Sequence, residues 1–281
     1  MRFGVNLLLW TTHVTNEHES QLTFVKECGF DGVEVPLFDG DVAHYRNVGA
    51  MLDQVGLQRT CSAGLAPEHN PIDASAAVRR AAVDRLKWAI DCGHALGAEV
   101  LCGPLHSAFK VFSGRGPTED EYKRSADVLR EAAEYAETSG LVLAPEALNR
   151  FECYLLNTAA QMRDLCQRVD HRLLRAHYDT HHMHLEEHDA GAAVRTCAAE
   201  LGHVHFSENN RGVPGRGQVD WNGTFAALRE VGYDGWCVIE AFSRLDPEFA
   251  AAIHVWRDYF ADPKDVCVDG LQFVKAGMQS R

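Results

Sequence analysis

Polar and apolar positions follow one rhythm along most of this chain. An amphipathic stretch ends at a glycine or a polar turn, and a short β-branched or apolar run follows. KECGFDGVEVPL, DQVGLQRTCSAGL, HALGAEVLCGPL, ETSGLVLAPEAL, RVDHRLLRAHYDT, AELGHVHFSEN and EVGYDGWCVIEAF all have this form. Glycine suits the left-handed position that ends a helix, and buried parallel strands read as near-continuous apolar runs. With the run at 3–9, the pattern predicts eight strands, the others at 32–36, 59–63, 100–103, 142–146, 174–179, 203–207 and 237–241. The clearest helical stretches between them are 20–28, 76–96, 119–139, 159–168, 190–200, 222–231 and 247–260. In 76–96, Val78, Ala81, Ala82, Leu86, Ala89 and Ile90 fall on one face, a helical spacing.

Strand–helix alternation repeated eight times argues for a parallel sheet with helices outside it. An open doubly wound sheet competes, but it usually has fewer units, and no G-x-G-x-x-G follows the first strand. The chain has 281 residues, a length that suits a (β/α)8 TIM barrel of ~250 residues. No linker, low-complexity block or charge run divides it, so residues 1–281 read as one barrel domain, with 262–281 as a C-terminal helix or tail.

Charge and cysteine content narrow the class. The formal net charge of −13 makes nucleic acid a poor partner and suits a small neutral or metal-bound ligand. Nine scattered cysteines without a C-x-x-C read as reduced thiols of a cytoplasmic protein, most of them small core residues. The opening MRFGVNLLLWTTH lacks a basic leader and a cleavage site, and its apolar run is far too short to span a membrane. No export signal or membrane anchor is expected.

The chemistry of such barrels sits at the C-terminal ends of the strands. There the chain places Glu146 after strand five, Asp179 after six, His205 in seven and Glu240 after eight; strand two carries Glu34. An acidic residue at the mouth of an apolar strand is costly unless paired or bound to a cation. Four such residues on four consecutive strands therefore point to one divalent metal site. The oxygen-rich set with a single imidazole favours Mn2+, Co2+ or Mg2+ over a thiolate-type zinc site. His203 and His205 point the same way in an alternating strand, and His205 lies nearer the mouth. HYDTHHMHLEEH (177–188) is rich in histidine, and its plain reading is a solvated loop. A zinc site from His181, His182 and His184 is an alternative that adjacent histidines disfavour. Asp179 is therefore read as ligand, His182 as turned towards a substrate, and His181 and His184 as structural.

These residues resemble a known family, the ketose 3-epimerases of the D-tagatose and D-allulose 3-epimerase type, among the xylose-isomerase-like barrels. PEALNRFECYLLNT, DTHHMHLEE, GHVHFSENNRGVPG and VIEAF carry the resemblance in matching order and separation, and it runs over nearly the whole chain. It implies metal ligands at Glu146, Asp179, His205 and Glu240, and substrate contacts at Glu152, His182, Arg211 and Phe242. It also implies a free ketose substrate, a homodimer or homotetramer, and a sugar whose far end meets Trp10, Gly64, Leu65, His106 and Phe109.

The reaction so implied is C3 epimerisation through a cis-enediolate. Glu146 and Glu240 stand on opposite faces of C3, one removing the proton and the other returning one. An aldose–ketose isomerase of the hydroxypyruvate or rhamnose type would use the same groups, and an inosose-type dehydratase is a further relative. An apurinic-endonuclease-like phosphodiesterase would need several zinc ions, more histidines and a basic surface. A non-catalytic sugar-binding barrel would not need both glutamates.

Overall fold

Each expected apolar run contains a strand in the computed structural model, which describes residues 1–279. The strands are β1 Arg2–Asn6, β2 Gly32–Pro36, β3 Gln58–Ser62, β4 Val100–Gly103, β5 Val142–Pro145, β6 Ala176–Asp179, β7 Leu201–Phe206 and β8 Trp236–Ile239. They pair in parallel in the order β5-β4-β3-β2-β1-β8-β7-β6. The ends of the sheet meet through two parallel bridges, Leu143 to Leu174 and Glu146 to His177. The result is the expected (β/α)8 barrel, nearly closed.

Helices fill the connections: α1 Glu19–Glu27, α2 Val42–Val55, α3 Ala76–Leu96, α4 Glu119–Tyr135, α5 Ala159–Val169, α6 Thr180–Glu186, α7 Ala190–Thr196 and α8 Trp221–Glu230. Their starts carry side-chain caps that satisfy free backbone N–H groups: Asp41, Thr118, Thr158, Asp189 and Asp220 each accept from one. Gly56 and Gly97, both left-handed, end α2 and α3.

Several boundaries differ from expectation. The first strand stops at Asn6, whose side chain accepts from the Leu8 N–H and starts a 3-10 turn over Leu7–Leu9. The helix expected over 247–260 is only Pro247–Ala252. His254 takes φ +63° there, and Val255 N–H returns to Ala250 O. The helix expected over 190–200 ends at Thr196, and β7 begins at Leu201. Within 177–188 the expected loop is instead α6, capped by Asp179. The C-terminal segment is helical from Pro263 to Gln279, with one π turn at Val266–Gly270; residues 280–281 of the expected tail lie outside the described residues.

Inside the barrel, Val100, Cys102, Ala144, Trp236 and Val238 form a separate apolar cluster. Polar residues share the interior: Glu34, Thr60, His203 and His205 are all buried. Gly103 at the end of β4 has φ +116°, and a Cβ there would meet Ala63 O at 2.3 Å. Only glycine fits that approach.

Candidate active site

Each strand end hands its polar residue to the same space. Glu146 follows β5, and its N–H donates to Gly103 O at 2.9 Å. Asp179 ends β6 and does two jobs at once. Its Oδ1 accepts from the His181 and His182 N–H groups at 2.6 and 3.0 Å, starting α6, while Oδ2 is left without a hydrogen-bond partner. His205 lies in β7, and Glu240 follows β8, its N–H donating to Phe206 O at 3.1 Å. One ligand atom from each of Glu146, Asp179, His205 and Glu240 lies within 4.8 Å of the other three. His205 Nδ1 is 3.6 Å from Asp179 Oδ2 and 3.3 Å from Glu240 Oε1.

Three buried atoms of this cluster have no hydrogen-bond partner: Glu146 Oε1, Asp179 Oδ2 and His205 Nδ1. Buried polar atoms are normally satisfied. Orphaned acceptors facing one another fit a cation between them, and three carboxylates with one imidazole fit a hard or borderline divalent ion. The residues present therefore suit a metal.

The charges are uneven. Burial pushes the Glu146 carboxyl well above the usual range, and Asp179 and Glu240 add to it. Burial also opposes ionisation of Glu240, but His205 and Arg211 outweigh it and lower that group. Burial would lower His205, yet Glu34 and Glu240 hold it well above an ordinary imidazole.

Arg211 reaches in from the loop after β7. Its Nη1 donates to Glu240 Oε2 at 2.7 Å and to Ser207 Oγ at 3.0 Å, and the guanidinium lies 4.9 Å from the centre of the Phe242 ring. His182, on α6, accepts the Asn149 N–H on Nδ1 at 3.0 Å. Its Nε2 lies 3.1 Å from Arg211 Nη2 and 3.5 Å from Glu146 Oε1. Burial, with Arg211 close by, keeps the ring neutral.

A cavity of about 810 Å³ opens above the cluster, lined by Glu146, Glu152, His182, His205, Arg211, Glu240 and Phe242. All eight sequence-predicted site residues are thus brought to one place, Asp179 through the cluster rather than the cavity wall. Gly64, Leu65 and Phe109 also line the cavity. Trp10 and His106 do not. Trp10 packs against the core, and His106 is buried beside the backbone of Glu146, its Nε2 2.8 Å from Glu146 O. Of the two other histidines, His181 is buried against Glu208 O at 3.2 Å, and His184 is exposed.

Two residues escaped the sequence reading. Glu208, fully buried, accepts from the N–H groups of Asn209, Gly215, Gln218 and Val219 and from the Trp221 indole at 2.9–3.1 Å, which ties down the Arg211 loop. Asn149 orients His182. Neither sits in a strand or at a diagnostic spacing, so periodicity carried no signal for them.

Comparison with known proteins agrees with this fold. The family model described as "Xylose isomerase-like TIM barrel" matches residues 22–274. A D-psicose 3-epimerase of Ruminiclostridium cellulolyticum is 32% identical over 263 residues, 92% of this chain and 89% of that protein. An L-ribulose 3-epimerase of Mesorhizobium japonicum is 31% identical over 282 residues, 99% of this chain and 95% of that one. The crystal structure of a D-allulose 3-epimerase from Methylomonas sp., in complex with D-allulose, superposes with a TM-score of 0.92 at 28% identity, covering 98% of this chain and 96% of that one. The chain belongs to the xylose isomerase-like TIM barrel family and, within it, to the ketose 3-epimerases, isomerases that act on carbohydrates.

Proposed function

We propose that this protein epimerises free ketoses at C3 with the help of one divalent metal ion, Mn2+ before Co2+ or Mg2+. The observation that carries the reading is the set of orphaned atoms on Glu146, Asp179 and His205, gathered with Glu240 on the floor of a cavity large enough for a sugar. Relatives named for D-psicose and L-ribulose, and solved relatives in complex with D-allulose or with D-tagatose, support a free ketose over a phosphorylated one. The whole chain works as one barrel domain, as a cytoplasmic homodimer or homotetramer.

Glu146, Asp179, His205 and Glu240 would hold the ion, which when bound would supply positive charge against the negative charge that builds on the sugar oxygens. The remaining work belongs to side chains. Glu146 and Glu240 enter from β5 and β8, on different walls of the barrel. One accepts the C3 proton and the other delivers a proton to the opposite face, so that the carbon inverts. Arg211 donates to the sugar's C1–C2 oxygens, His182 hydrogen-bonds the same end through Nε2, and Glu152 accepts from a hydroxyl there. Phe242 closes one side and keeps water off the reacting carbon. Holding the reacting plane still in this way contributes several kcal/mol, up to about 7–11.

The test is direct. Glu146→Gln and Glu240→Gln are each expected to abolish conversion of one ketose into its C3 epimer in the presence of Mn2+, read by sugar chromatography. Undiminished conversion in both variants contradicts the two-base scheme.

A further inference from the structure

Glu34 lies in β2 beside the metal-type cluster, and no step of the proposed reaction uses it. It is wholly buried. A charge there is costly unless it is densely hydrogen-bonded, and five donors meet it. Asn6 Nδ2 and His205 Nε2 reach Oε1 at 2.9 and 2.7 Å. Thr60 Oγ1, His203 Nε2 and Cys102 Sγ reach Oε2 at 2.8, 2.8 and 3.1 Å. The Asn6 amide can face only one way, because its Oδ1 accepts from the Leu8 N–H at 2.9 Å. Its NH2 therefore points at Glu34, and the same nitrogen reaches Glu240 Oε1 at 3.2 Å.

A carboxylate only accepts, so the His205 nitrogen that touches it carries a proton. Nδ1, the atom facing Asp179 and Glu240, is then the nitrogen that can bind an ion, giving up any proton of its own to it. We propose that Glu34 is a positioning residue for the metal site. It sets His205 in the Nε2–H tautomer and, through Asn6, steadies Glu240, so one buried carboxylate fixes two of the four ligands. This rests on the metal reading given above. Glu34, Cys102, His203 and His205 do not form a second ion site of their own. Their contacts to Glu34, 2.7–3.1 Å, are hydrogen-bond lengths, whereas ligands at ~2.0–2.3 Å from a shared tetrahedral ion stand farther apart.

Two measurements test it. Calorimetric titration with Mn2+ compares the wild-type protein with Glu34→Gln. The dissociation constant is expected to rise about 10–100-fold, while kcat at saturating Mn2+ falls less. Nitrogen NMR of the Mg2+-loaded wild-type protein is expected to place the His205 proton on Nε2. A dissociation constant within twofold of wild type overturns the proposal, and so does a proton on Nδ1. If Glu34→Gln fails to fold, the NMR result alone decides. A wild-type protein that binds no Mn2+ removes the metal reading and this proposal together. Equal binding by wild type and variant removes this proposal alone.

Discussion

Arg211 sits at φ +61°, an uncommon conformation for a residue with a Cβ. Its backbone is held there from both sides: its N–H donates to Glu208 O at 2.9 Å, and its carbonyl accepts the Phe242 N–H at 3.0 Å. The strain aims a planar guanidinium at Glu240, Ser207 and the Phe242 ring together. A lysine offers one point charge and no fork, so Arg211→Lys keeps the charge and loses the geometry. Losing one charge-assisted bond of about 1.5–3 kcal/mol predicts a fall in kcat/KM of roughly 10–100-fold, measured by steady-state kinetics. An unchanged value would assign Arg211 to structure alone. At this scale the sequence was informative where a residue type was out of place. A carboxylate at the mouth of an apolar strand stood out at Glu146, Asp179 and Glu240. Glu34 stood out too, but its role depends on partners from strands far apart in sequence, which periodicity cannot bring together.

The elements were legible for a related reason. Buried parallel strands need apolar side chains on both faces, so VEV, VLC, VLA and CVI announce themselves. Helix ends were less so. The helix expected over 247–260 stops at Ala252 because backbone bonds at 254–255 compete with it, and α6 was hidden because its cap, Asp179, doubles as a site residue. The loop after β7 was opaque altogether. Its shape comes from the Glu208 carboxylate, which collects four backbone N–H groups and an indole. Glu208→Gln puts an amide NH2 among those donors. The cost is about 3 kcal/mol or more, a drop in Tm of roughly 6–12 °C in a protein of this size. Differential scanning calorimetry reads it, and kcat/KM is expected to fall as well because Arg211 loses its anchor. A Tm within a degree of wild type would mean that the loop is held by other contacts.

Over the whole molecule, the barrel converts sequence order into convergence. Residues 34, 146, 179, 205 and 240 are spread over most of the chain, yet eight parallel strands deliver them to one end of one cylinder. That face distinguishes reactions only by which carbon the two glutamates reach, and a C3 epimerase and an aldose–ketose isomerase would share the same ligands. The most direct measurement is therefore the position of solvent label. With Mn2+ and a free ketose in D2O, NMR of the recovered sugars is expected to show deuterium at C3 of the epimeric product, and none at C1. Deuterium at C1 with aldose formed, or product without label from solvent, would contradict the account.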